Sequence, residues 1–194
     1  MRRLARIAVA VAGLALGMAL SGPALAGRRE LVFEAGRTLA VKNGPGGGGL
    51  ALGASVLWPV ENHFRIGLMG FVDGMGERTD RLIGEGGTDL GPIAGSHRAA
   101  QGVALRLEAH TPAGHRLRPY LAATWGFYRI KDDVRGILLQ ADDAVGFGLG
   151  LGLMRAFNDH HAAGVAVRGQ QLSRGGARYV TAAFEWRWGM GAGD

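Results

Sequence analysis

The chain reads as an all-β protein, an eight-stranded antiparallel up-and-down β-barrel that crosses a membrane with its strands and is preceded by a cleavable signal peptide. Three observations carry this. The N-terminus has the layout of an export signal, the chain after it contains eight runs of alternating apolar and polar residues, and the connections between those runs differ in length at the two ends.

Arg2, Arg3 and Arg6 form a basic start, Ile7 to Leu20 is almost unbroken apolar sequence, and Ala24-Leu25-Ala26 is a small-x-small cleavage site. Residues 1–26 are therefore expected to be a signal peptide cut after Ala26. Residues 27–188 are expected to be the barrel and residues 189–194 a short tail. The leader holds three arginines and no acid, so the formal charge falls from +6 to +3 on its removal, which weakens any case for nucleic acid as a partner. No later apolar stretch is long enough for a helical span. The chain has no cysteine, so an exported domain must gain stability from a device other than disulfides. Closure of a barrel is such a device, because it leaves no strand edge unpaired.

The first strand is expected from about Leu31 to Val41, with Leu31, Phe33, Ala35 and Leu39 opposite Glu34, Gly36 and Thr38. The second, Leu50 to Trp58, sets Leu50, Leu52, Ala54, Val56 and Trp58 against Ala51, Gly53 and Ser55. A tight turn over Pro59 to His63 leads to the third, Phe64 to Asp73, and then to the longest irregular stretch, Gly74 to Ser96. The fourth, His97 to His110, opposes Val103, Leu105, Leu107 and Ala109 to Gly102, Ala104, Arg106 and Glu108. The fifth, Leu117 to Ile130, places Leu121, Ala123, Trp125 and Phe127 opposite Tyr120, Ala122, Thr124 and Tyr128. After a loop over Asp132 to Asp142, the sixth interleaves Val145, Phe147, Leu149, Leu151 and Leu153 with four glycines. The seventh runs Ala162 to Leu172. The last strand carries Val180, Ala182, Phe184, Trp186 and Trp188 on one face and Thr181, Ala183, Glu185 and Arg187 on the other.

Alternation by itself does not say which face is inside. The polar parity is built largely of glycine and alanine, which suits a narrow packed lumen, and lysine occurs only at Lys42 and Lys131, where a soluble surface would use it freely. The aromatic residues form two expected girdles at the bilayer interfaces: Phe33, Trp58, Phe64, Phe157, Trp186 and Trp188 toward one rim, and Phe71, Phe127, Phe147 and Tyr179 toward the other. The apolar face is thus expected to meet lipid.

Arg118-Pro119-Tyr120-Leu121-Ala122-Ala123, the Gly146-Phe147-Gly148-Leu149-Gly150-Leu151-Gly152 run and the aromatic last strand resemble the small outer-membrane β-barrel family of OmpA- and OmpX-type proteins. The resemblance covers essentially all of residues 27–188. It implies residence in the bacterial outer membrane, contact with membrane lipid and lipopolysaccharide, and handling by the outer-membrane insertion machinery. That family ends on an aromatic residue, whereas here Gly189 to Asp194 follow Trp188.

The lumen-facing parity carries a candidate charge network of Glu34, Arg65, Arg106, Glu108, Arg168, Glu185 and Arg187. Buried ions must be paired, so these are expected to interlock as a plug, with a narrow pore as the alternative. The alternate glycines of the sixth strand lack the following helix that a nucleotide site needs, and read as room for long side chains opposite. His63, His115, His160 and His161 recur in the short turns but lie apart around a circumference, so no metal site is called for. Barrels resembling lipid A deacylases use a His-x-Ser pair, and this chain has only Ser96-His97 side by side. No catalytic residue and no cofactor are expected, and the function read from the sequence is a non-enzymatic envelope or surface role, with a narrow pathway for small solutes or hydrophobic molecules as the alternative and a lipid A-modifying enzyme behind it.

Overall fold

A computed structural model describes residues 29–42, 48–83, 86–111, 116–134, 137–173 and 177–190. The expected leader, with Ala26, lies outside these residues, as do His115 and positions 191–194. Eight strands are present: β1 (Arg29–Lys42), β2 (Gly48–Glu61), β3 (Phe64–Ile83), β4 (Asp89–His110), β5 (Leu117–Val134), β6 (Ile137–Ala156), β7 (His161–Leu172) and β8 (Arg178–Met190). Each is antiparallel to its sequence neighbour, and β1 pairs with β8 from Arg29 opposite Met190 to Lys42 opposite Arg178, so the sheet closes on itself.

From β5 to β8 the wall obeys the alternation, whereas on β1 and β2 Leu31, Ala54 and Val56 are buried despite lying on the outward parity. Leu149, Leu151, Leu153, Leu121, Trp125, Val165, Val167 and Phe184 are exposed, while the residues between them point inward and are mostly buried. On β5 the exposed apolar run extends from Leu117 to Phe127, and on β6 from Val145 to Leu153 with Asp143 and Arg155 at its ends. Both runs match the roughly 9–11 residues that a tilted strand needs to cross a bilayer. A soluble protein does not present a continuous belt of Leu, Val, Phe and Trp around its circumference. The belt is the surface that meets lipid.

Four segments differ from the sequence reading. The stretch Gly74 to Ser96 is not an irregular loop. β3 and β4 continue through it as a paired ribbon to Ile83 opposite Asp89, with irregularities at Gly74/Gly76, Arg78/Asp80 and Leu82/Ile83. Gly76, at φ 101, accommodates the first of these in a conformation that side chains rarely adopt. Likewise β5 and β6 pair up to Val134 opposite Ile137, inside the expected loop. β2 continues to Glu61, so the turn shrinks to Asn62-His63. At the C-terminus β8 runs two residues past Trp188, and the Gly189 N–H donates to His160 O at 2.7 Å. In each case backbone pairing with an existing neighbour outweighs the turn-like composition.

Candidate functional site: the charged lumen

The lumen is stratified. Toward the rim of the short turns it holds a charged cluster. Toward the tall hairpins it holds an apolar one made of Met69, Phe71, Met75, Ala100, Ala104, Tyr128, Ile130, Ala144, Leu172, Ala177 and Tyr179. Glycines in the wall make room for both. A Cβ added at Gly152 would stand 2.3 Å from the Tyr120 ring, one at Gly146 2.5 Å from Tyr128, and one at Gly148 2.5 Å from the Thr124 hydroxyl.

Arg106 on β4 is the hub. Its Nη1 donates to Glu34 of β1, and its Nη2 lies 2.7 Å from Glu185 Oε1 of β8 and 2.6 Å from Glu108 Oε1. Arg187 of β8 donates to Glu108 Oε2 at 2.8 Å and to Glu185 Oε2 at 3.1 Å. Tyr120 of β5 donates to Glu185 Oε2 at 2.6 Å, with the Arg187 guanidinium 4.5 Å above its ring. Arg168 of β7 takes the second oxygen of Glu34 at 2.9 Å. All of these side chains are buried. Each carboxylate is held by at least two donors, the condition under which ions are tolerated away from water.

Of the sequence candidates, the structure brings Glu34, Arg106, Glu108, Arg168, Glu185 and Arg187 into one network. Arg65 joins it at the mouth through Glu30, which lies 2.8 Å from Arg65 and 3.8 Å from Arg187. Glu30 and Asp73 were missed as lumen residues. Asp73, wholly buried on β3, accepts from the Tyr179 hydroxyl at 3.1 Å and faces Arg168 at 3.9 Å. Strict parity would have found both, since Glu30 shares a face with Glu34 and Asp73 with Arg65.

The girdle assignment needs two corrections. Phe71 and Tyr179 are each only 1% exposed and lie inside the barrel, not at the lipid interface. Phe71 shares its parity with Arg65 and Met69, and its ring packs 4.8 Å from that of Tyr128. Tyr179 shares its parity with Thr181 and Glu185 and spends its hydroxyl on Asp73. Proximity to a strand end did not override the two-residue period. Phe33, Phe64, Phe157, Trp186 and Trp188 are exposed near the short-turn rim, where Phe157 stacks on Trp186. Phe127 and Phe147 are exposed further up, beside Trp125, and Trp58 is half-buried against Leu31, Ala54 and Val56.

Of the turn histidines, His63 Nδ1 lies 3.4 Å from His110 O, and the His161 ring packs beside Trp186. His97 is exposed and 3.9 Å from Glu77. Among the described residues no group of three or more His, Cys, Asp or Glu side chains could hold a metal ion.

Apolar outside, charged inside and closed by pairing of its first and last strands, the molecule is an eight-stranded outer-membrane β-barrel. A closed sheet with a lipid-facing wall is built to stand in a membrane. No protein-family model and no curated protein sequence matches the chain. Its backbone is similar to Neisserial surface protein A, with a TM-score of 0.60 at 11% identity, covering 86% of this chain and 99% of that one. It is similar also to the N-terminal β-barrel domain of Pseudomonas aeruginosa OprF, with a TM-score of 0.52 at 16% identity over 84% and 99% of the two chains. A third likeness is the outer membrane protein OprG from Pseudomonas aeruginosa, with a TM-score of 0.50 at 12% identity over 84% and 94%. At these identities the likeness is one of fold, and it is the fold that the resemblance to OmpA- and OmpX-type barrels implied.

Proposed function

We propose that the protein is a non-enzymatic outer-membrane barrel with a plugged lumen, acting in envelope structure or in contacts made at the cell surface. One observation carries the plug: Arg106 bonds carboxylates from β1, β4 and β8 at once, so the network ties opposite walls together. The cavity beside Glu34, Arg106, Tyr120 and Glu185 has about 10 Å³, roughly the space of a single water. A hydrated ion has no room there, and the apolar layer of Phe71, Met75, Tyr128 and Tyr179 lies above it in the same bore.

The surface role rests on the β3–β4 ribbon, whose pairing continues beyond Ser96, the last β4 residue that pairs with β5. The partners that suit this reading are membrane lipid and lipopolysaccharide around the wall, with the insertion machinery as a transient one. Planar-bilayer recording of the purified barrel tests the plug. No steady conductance is expected from wild type, and Arg106→Ala is expected to bring brief openings. Stable ohmic channels from wild type would sink the plug and favour the narrow pore.

A further inference from the structure

We infer that the outer wall carries a binding groove for the phosphate of lipopolysaccharide, with Arg129 at its polar end and Val103 and Phe127 along its apolar side. The inference rests on the outer-membrane reading and adds a defined contact to it. A groove of about 500 Å³ is lined by Val72, Gln101, Val103, Phe127, Arg129 and Asp143, among others, a volume ordinary for a small-molecule site.

The register explains why this place differs from bare wall. Val72, Gln101, Arg129 and Asp143 stand side by side in one row across β3 to β6, and the next row toward the short turns is Gly70, Val103, Phe127 and Val145. The exterior therefore changes from apolar to charged within a single step along the strands, in the half of the wall nearer the tall hairpins. One row further, Ala99 and Ala141 flank Lys131. β5 thus sets two cations above an apolar shelf, at the depth where a lipid's phosphate meets its acyl chains.

The chemistry fits an anionic amphiphile. Phe127 is 63% exposed and offers its ring to a chain, and the Arg129 side chain is 56% exposed. Arg129 Nε is 3.6 Å from Asp143, a long and solvated ion pair of the kind that contributes little. A phosphate, which matches the guanidinium fork with two parallel hydrogen bonds, competes with it readily. Gln101 adds a neutral donor on the adjacent strand.

The test uses the intact barrel reconstituted in lipid nanodiscs, with bound lipid counted by native mass spectrometry. Bisphosphorylated lipid A should be retained about tenfold more than its dephosphorylated form. Arg129→Gln should erase most of that difference, while Arg178→Gln, at an exposed arginine on β8, should leave it. Phe127→Ala should weaken retention of both forms. Equal retention of the two forms by wild type would overturn the groove, as would an equal loss from Arg129→Gln and Arg178→Gln, which indicates unspecific attraction. Displacement of lipid A by excess inorganic phosphate would reassign the site to a simple anion and overturn the lipid. Failure of the protein to enter the nanodisc bilayer would be a separate result, one against the outer-membrane reading itself.

Discussion

Tyr120 on β5 donates its phenolic hydrogen to Glu185 on β8 at 2.6 Å, across the bore of the barrel, while the guanidinium of Arg187 rests 4.5 Å from the centre of the same ring. One side chain thus serves one carboxylate as donor and one cation as face. Tyr120→Phe keeps the ring and removes the donor, and should cost about 1.5–3 kcal/mol, the range for a hydrogen bond to a charged group. Glu185→Ala leaves Arg106 and Arg187 short of a counter-ion and should cost about 3–5 kcal/mol. Urea unfolding in detergent measures both. Equal and negligible effects would show that the lumen is wet.

Gly152 and Tyr120 face each other across the β5–β6 ladder. Gly152→Ala places a methyl 2.3 Å from the Tyr120 ring and should lower stability by about 1–3 kcal/mol. Adding Tyr120→Ala should make the double variant more stable than the two single costs predict, because the clash is removed with the ring. Gly169→Ala is the control, since the nearest atom to its added Cβ is a carbonyl oxygen 3.9 Å away. Strict additivity of Gly152→Ala and Tyr120→Ala would reject this account of the glycine face.

Two phenylalanines separate lumen from lipid. Phe71 is buried against Tyr128, so Phe71→Ala should cost about 3–5 kcal/mol. Phe147, exposed on the opposite parity, should lose less than about 1 kcal/mol when truncated in detergent, where the micelle re-covers the gap. A reversed order of unfolding midpoints would put Phe71 back in the girdle.

Leu151 is 62% exposed in the middle of β6. Leu151→Arg in bilayers should cost about 2–4 kcal/mol, as for a cation at the midplane of a barrel wall. A fluorophore at 151 should be quenched by brominated lipid and shielded from iodide. Protection from both quenchers in a protein soluble without detergent would contradict the membrane barrel.

Much of this architecture is legible in the sequence because a strand's side chains alternate strictly. β6 announces itself by Leu and Gly in turn, and all seven proposed lumen charges fall in one network, Arg65 through Glu30. Which charge meets which is not legible. Glu34 reaches Arg106 three strands away and Arg168 two strands away, and those meetings depend on the stagger of a closed sheet, which a single strand does not display. Tyr179 is harder still, although Tyr120 and Tyr128 already fall on the polar parity of the fifth strand. Tyr120, Tyr128 and Tyr179 bring amphipathic rings suited to an interface or to a polar interior, and only the parity of their neighbours distinguishes the two. The β3–β4 ribbon was hidden by its glycines and mixed charges, which read as loop although the backbone pairs through them.

The closing seam between β1 and β8 joins Leu31 to Trp188, residues from opposite ends of the chain. Every other seam can zip outward from a local turn, but this one has none, and its formation must wait until all eight strands are in place. Until then β1 and β8 each present a bare row of amides and carbonyls. Assembly therefore carries an obligatory late step during which the chain is at its most adhesive. A substitution that slows that step without touching the finished ladder would leave a protein whose finished form is sound but whose yield depends on the company it keeps before closure.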